Sequence, residues 1–374
     1  MASVEKIAEV VLYEGYLLYP YRHSSMKNQQ RWTFGGVYPR AYSEANGGDD
    51  PWNMQTQCLV IGDHDTRIEA TVRYLQVVDR QVAQLLVEDS WVDPILSCDG
   101  PGDGAPPAER FVQELQGADQ IYRPGEEAIE RQLAAGALRL GDLVGHGRGI
   151  EIDIPADRAV EPVLDATGAV TGTLIRAWQS LRGTVELAVE PLASSPQEGK
   201  RAGSCYRLSV RIVNITPWTW HGRDSGQRPR DSALRQTSVS THTILRVHGG
   251  EFVSLLEPPD EYLEAAAGCV NTSTWPVLVG EHGERHTLLS SPIILYDYPQ
   301  IAPESPGDLF ETTEIDELLT LSIMALTDEE KAEMRESDAR ARAILERTEA
   351  LSQEQLMKLH GAIRGLQPAR KKDL

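Results

Sequence analysis

Apolar and polar residues alternate along much of this chain, and the period of that alternation predicts strands. In Arg207–Val213, Leu208, Val210 and Ile212 fall on one side, with Arg207, Ser209 and Arg211 on the other. A period of two with one wet side suits an antiparallel sheet. The segments Gln57–Gly62, Glu69–Val78, Thr173–Gln179, Thr184–Val189, Tyr206–Ile215 and Thr237–Val247 are similarly rich in β-branched and aromatic residues. Turn-forming clusters at Gly47–Pro51 and Gly222–Pro229 punctuate them. The Gly/Pro-rich run Asp99–Pro107 reads as a flexible loop or a domain boundary. Residues 109–140 carry a mixed signal, with one helix expected around Glu126–Ala135. Pro276–Val279 and Pro292–Leu295 read as strands on either side of a hairpin.

The period lengthens after Pro303, Pro306 and Gly307. Phe310, Ile315, Leu318, Leu319 and Ile323 recur at helical spacing. Thr327-Asp328-Glu329-Glu330 and Ser352-Gln353-Glu354-Gln355 are capping boxes, in which a hydroxyl and a carboxylate or amide satisfy free backbone donors. The second leads into Leu356, Leu359 and Ile363. The expected fold is therefore α+β and mostly β. An antiparallel, sandwich-like body covers residues 1–305, with a possible boundary near 99–107, and a helical segment covers 306–374.

Composition narrows the partners. A formal net charge of -20 and a pI near 4.9 argue against nucleic acid or an anionic membrane, both of which need a basic field. No apolar run approaches the ~18 residues of a membrane span, and no charged-then-apolar leader precedes the first strand. The expectation is a soluble, cytoplasmic protein, in which Asn214-Ile215-Thr216 and Asn271-Thr272-Ser273 are chance glycosylation matches. Cys58, Cys98, Cys205 and Cys269 lie far apart, and none of them forms a CxxC pair.

Two groups of histidines could hold a transition metal. His282 and His286 have the spacing of a paired imidazole site, but Gly280 and Gly283 favour a hairpin tip over a helix. The residue after His282 is also glycine, where zincins place their catalytic glutamate. His221, His242 and His248, with Cys269 nearby, form the second group; His242 and His248 are six apart and share one strand face. Each group has a plainer reading, as a solvated turn and as isolated sheet histidines. Gly145-His146-Gly147-Arg148-Gly149 leads into the strand-like Ile150–Ile154, so it is a tight turn, since a phosphate loop must open a helix. The chain has no Gly-x-Ser-x-Gly elbow. No motif demands a cofactor.

The opening of the chain is aromatic and locally basic. Tyr13, Tyr16, Tyr19, Tyr21, Trp32, Phe34 and Tyr38 are interspersed with Arg22, Lys27, Arg31 and Arg40. Such a mixture is enriched at protein–protein hot spots, and also fits a core strand. Arg22, Lys27, Arg31 and Trp32 are the candidate partner-binding residues. The stretch LYEGYLLYPYRHSSMKNQQRWTFGGVYPRAYSEA resembles a family of uncharacterised bacterial proteins encoded beside high-affinity, actinobacterial-type nickel–iron hydrogenases. SSPIILYDYPQIAPESPGDLFETTEIDELLTL and ALTDEEKAEMRESDARARAILERTEAL are similar to the same family. The resemblance covers both ends of the chain. It implies a non-catalytic accessory role in assembly, maturation or scaffolding, with a hydrogenase subunit or maturation factor as partner. It supplies no functional residues.

Overall fold

The structure, a computed structural model, describes residues 4–8, 12, 33–85, 109–118, 120–192, 204–220, 228–299, 331, 345–346 and 349–350. The chain forms an α+β fold dominated by antiparallel sheets, with a smaller helical component. It divides into two compact units. One comprises Met1, Val11–Leu17 and Trp32–Tyr298; the other comprises Ala2–Val10, Leu18–Arg31 and Pro299–Leu374. In the second, the described residues other than Pro299 are helical, and Val4, Ile7, Ala8 and Leu345 are buried. The Asp99–Pro107 loop and both C-terminal capping boxes lie outside the described residues.

Among its described residues the first unit contains fifteen strands. In chain order they are β1 (Asn53–Gly62), β2 (Arg67–Leu85), β3 (Glu109–Phe111), β4 (Leu115–Gln116), β5 (Ile121–Tyr122), β6 (Gly125–Arg139), β7 (Arg148–Ile154) and β8 (Asp157–Leu164). β9 (Val170–Trp178), β10 (Leu181–Leu192), β11 (Ser204–Asn214), β12 (Val239–His248), β13 (Glu251–Val253), β14 (Trp275–Leu278) and β15 (Thr287–Ser291) follow. A five-stranded sheet runs β13-β1-β11-β10-β7. An eight-stranded sheet runs β14-β15-β12-β2-β9-β8, with β3 and β6 also paired to β2. Every ladder is antiparallel.

The two sheets share one apolar core. Met54, Cys58, Leu187 and Leu208 of the first pack in the same cluster as Val72, Tyr74, Leu245 and Leu288 of the second. The predicted alternation of β11 is realised, since Leu208, Val210 and Ile212 are all buried. The chain passes between sheets at the corner Asp63–Thr66. There Asp63 Oδ1 accepts the Asp65 and Thr66 N–H groups at 2.9 Å each, and Thr66 Oγ accepts the Asp63 N–H at 2.9 Å. This Asx turn replaces the backbone bonds that the corner interrupts.

Two sequence expectations fail. Residues Glu126–Ala135 are not helical; they belong to β6, which pairs with β2 from Arg67↔Arg139 to Arg80↔Gly125. EEAIERQLAA is helix-forming by propensity, but a long ladder outweighs a few tenths of a kcal/mol per residue. The strand after the hairpin is Thr287–Ser291, and Pro292–Leu295 lies beyond it. Pro292 cannot donate to the ladder, which ends before it.

A buried amide joins separate parts of this unit. Asn214, 2% exposed at the end of β11, donates through Nδ2 to the Val37 carbonyl at 2.8 Å and the Gln236 carbonyl at 2.7 Å. Its Oδ1 accepts the Thr216 N–H at 2.9 Å. Asn214→Ala would orphan the Thr216 N–H and the Gln236 carbonyl, while the Val37 carbonyl keeps the Ser238 N–H, at a cost of about 2 kcal/mol. Urea unfolding of the variant is the check; a loss below about 1 kcal/mol would mean that water replaces the amide.

Candidate interaction surface

The outward side of the eight-stranded sheet changes character along β2. Leu75 and Val77 are covered there, in a cluster with Leu12, Tyr38, Tyr42, Ala233, Leu234 and Val239. The helices Arg40–Ala45 and Pro229–Leu234 are anchored over it by side chains. Arg230 Nη2 donates to the Tyr38 hydroxyl at 2.7 Å, and the Tyr42 hydroxyl donates to Asp50 at 2.8 Å. Burial holds both tyrosines un-ionised by raising their pKa values, and Asp50 adds to the effect. Trp218 packs edge-on against Tyr42, their centroids 5.2 Å apart.

An ion cluster marks where this cover ends. Arg235 Nε donates to both Asp79 carboxylate oxygens at 2.9 Å, and its Nη2 to Glu126 at 2.9 Å. Burial alone would make Arg235 easier to deprotonate, but these carboxylates outweigh it and raise its pKa. Beyond Asp79 the register places Ala83 beside Phe111 and Thr173, and Thr173 beside Pro162. Directly opposed residues share a sheet face, as do positions two apart. Phe111, Val160 and Leu164 therefore lie on one face, with Val170 opposite Leu164.

These four side chains are not covered. Phe111 is 66% exposed, Val160 51%, Val170 47% and Leu164 46%. The β8–β9 hairpin fixes two of them. Asp165 Oδ1 accepts the N–H groups of Thr167 at 2.8 Å and Ala169 at 3.0 Å, and Gly168 takes φ +85°, which suits glycine. On the reverse face Val82, Leu115, Val163 and Leu174 form a small core of their own, which backs the surface. A group of exposed apolar side chains on one face is the ordinary mark of a contact surface. Sequence reasoning missed it. The available signal was Val160-x-x-x-Leu164 around Pro162, a proline suited to an edge strand.

The sequence-predicted residues are placed as follows. His282 and His286 lie in the turn between β14 and β15, where Gly280 and Gly283 take φ +131° and +94°. Each ring has its own partner: His282 packs against Tyr298 with centroids 5.2 Å apart, and His286 Nδ1 is 3.1 Å from the Gly250 carbonyl. His242 and His248 share a face of β12, opposite Arg73 and Arg67. Six residues of strand separate them by roughly 20 Å, too far to bind one ion together. His248 instead pairs with Glu69 at 3.2 Å. Among the described residues no group of three or more His, Cys, Asp or Glu could hold a metal ion. His221, Arg22, Lys27, Arg31 and Trp32 lie outside the described residues.

No protein-family model matches the chain, and no curated protein matches it either.

His242 is fully buried, with Nδ1 3.1 Å from the Ser240 carbonyl and Nε2 without a partner among the described residues. Burial, aided by the Arg73 charge, lowers its pKa from 6.5 to about 4. The unfolded chain then binds a proton near pH 6.5 that the native state refuses until about pH 4. Stability should be complete above pH 6.5 and fall as the pH drops towards 4, by up to about 3 kcal/mol from this residue. Urea titrations at several pH values should show a shallower acid limb for His242→Leu than for the native chain; parallel limbs would remove the effect.

The double change His282→Ala with His286→Ala alters exposed turn side chains, and stability should move by less than about 0.5 kcal/mol. A large fall in melting temperature accompanied by loss of bound metal would show instead that the hairpin tip is a structural metal site.

Proposed function

We propose that this chain is a non-catalytic interaction protein that presents the open end of its eight-stranded sheet to another protein. The observation that carries the reading is the grouping of Phe111, Val160, Leu164 and Val170 on one exposed face. Four apolar side chains held on a backed sheet have little conformational freedom to lose on binding, which favours a specific contact. The reverse face of the same strands carries cross-strand ion pairs. Arg80 and Arg176 both bind Glu127, and Arg176 also binds Glu161 at 2.8 Å. They are thereby suited to supporting the surface.

The partner follows from the resemblance of both ends of the chain. We assign the role of a cytoplasmic accessory protein in assembly, maturation or scaffolding of a nickel–iron hydrogenase. A hydrogenase subunit or maturation factor would occupy the surface. No helix among the described residues is long and apolar enough to cross a membrane, which is compatible with this role.

Phe111→Asp with Val160→Asp places two carboxylates in the middle of the surface without touching the inter-sheet core. The variant should keep its circular dichroism spectrum and melting temperature, and lose the proteins that co-purify with the native chain from its host. Capture of the same partners by the variant would remove this face as the interface. Capture of proteins unrelated to hydrogenase by the native chain would remove the assigned partner.

A further inference from the structure

Cys205 and Cys269, 64 residues apart in the chain, enter one small apolar cluster on the outer side of the five-stranded sheet, with Leu59, Val253 and Ala266. The register explains the arrangement. Ile61 faces Cys205 and Leu59 faces Arg207, so Cys205 and Arg207 project from the same side of β11, two positions apart. Cys58, next to Leu59, points the other way into the inter-sheet core and is fully buried. Cys269 follows the short helix Leu263–Ala267 and is half-buried, its thiol 3.6 Å from the Ala265 carbonyl.

Arg207 links the two thiols. It pairs with Glu190 at 3.1 Å and hydrogen-bonds to the Cys269 thiol. The guanidinium reaches Cys269 over Gly268, where any Cβ would lie 2.9 Å from Nη2. Its Nε is buried with no partner among the described residues. The Arg207 charge and hydrogen bond both favour the ionised form of Cys269, because a thiolate accepts hydrogen bonds far better than a thiol. Burial raises the pKa of both thiols, Cys205 to about 11, and Arg207 opposes the rise at Cys269 through charge and hydrogen bond. Both cysteines are free.

We propose that Cys205 and Cys269 are a dithiol pair that a peroxide converts to an intramolecular disulfide, with Cys269 reacting first. The Cys269 thiolate attacks one peroxide oxygen and the O–O bond breaks. This gives a sulfenic acid on Cys269 and a hydroxide that is protonated to water. The Cys205 sulfur then attacks the Cys269 sulfur and expels hydroxide, which takes the Cys205 proton and leaves as a second water. The two sulfurs are oxidised and the peroxide is reduced. A disulfide needs Cα atoms within about 7 Å. Residues 269–271 have no regular structure and are tied to β1 mainly by side-chain hydrogen bonds of Gln55, Gln57 and Asn271, so any adjustment falls on these bonds while β11 keeps its ladder. Cys58 is also within electrostatic reach of Cys269, but it projects from the opposite face of β1 into the inter-sheet core.

The test uses the full chain, reduced, then exposed to a stoichiometric amount of hydrogen peroxide, alkylated and mapped by peptide mass spectrometry. The expected product is a Cys205–Cys269 cross-linked peptide, with loss of both alkylatable thiols and none at Cys58. Cys269→Ser should abolish the cross-link. Cys205→Ser should leave Cys269 oxidised beyond the sulfenic state. Arg207→Gln should slow Cys269 oxidation several-fold while the melting temperature stays close to native, and Arg207→Lys should restore part of the rate. Recovery of Cys269 as an alkylated thiol, over-oxidation of Cys269 in the native chain without a cross-link, or a cross-link to Cys58 or Cys98, would each overturn the proposal.

Discussion

Everything in the β body hangs on the continuous hydrogen bonding of β2. One strand of nineteen residues, roughly 60 Å long by the usual rise, pairs with β12 and then β9 along one edge, and with β6 and then β3 along the other. A strand this long cannot serve a single core. Its first half supplies Ile68, Ala70, Val72 and Tyr74 to the inter-sheet core. Its last part supplies Val82 to the small core beneath the exposed surface. The middle must cross between them, and there the side chains are polar: Gln76 is fully buried and donates to the Gln179 carbonyl, and Arg80 holds Glu127.

That crossing accounts for the density of ion pairs on the sheet. Arg80 and Arg176 lie directly opposite each other in the ladder, an arrangement that repels on its own. Glu127 from β6 sits between them and binds both, so three strands are joined by one carboxylate. Arg73 and Glu130, at 2.7 Å, and Arg235 with Asp79 and Glu126 repeat the device on the other face. Partial burial makes such pairs costly to break, whatever their net contribution to stability. A chain of net charge -20 thus places part of its acidity inside its sheets rather than on a docking face.

The strands with clean alternation were legible in the sequence because one of their faces meets the core and the other meets water. Leu208, Val210 and Ile212 are the plainest case. β6 was not, because both its faces carry charges that only the partner strand reveals as paired. Glu126, Glu127 and Glu130 look like a solvated helix surface until Arg235, Arg80 and Arg73 are set beside them. The hairpin tip around His282 followed from Gly280 and Gly283, a local signal. The exposed surface did not, because Phe111, Val160 and Val170 come to share one face only through three ladders. The same is true of Cys205 and Cys269, which no local motif connects.

The order in which strands pair also bears on how this chain is made. β1 is among the first strands to leave the ribosome, yet its partners are β11 and β13, and the Gln57 amide finds the Asn271 side chain 214 residues later. At ordinary translation speeds of about 5–20 residues per second that interval is roughly 10–40 s. Until β11 emerges Leu59, Val60 and Ile61 have no ladder partner, and an unpaired apolar strand is a template for aggregation. The five-stranded sheet therefore closes only after β11 and β13 have been made, which leaves β1 as the stretch of the nascent chain most in need of shielding.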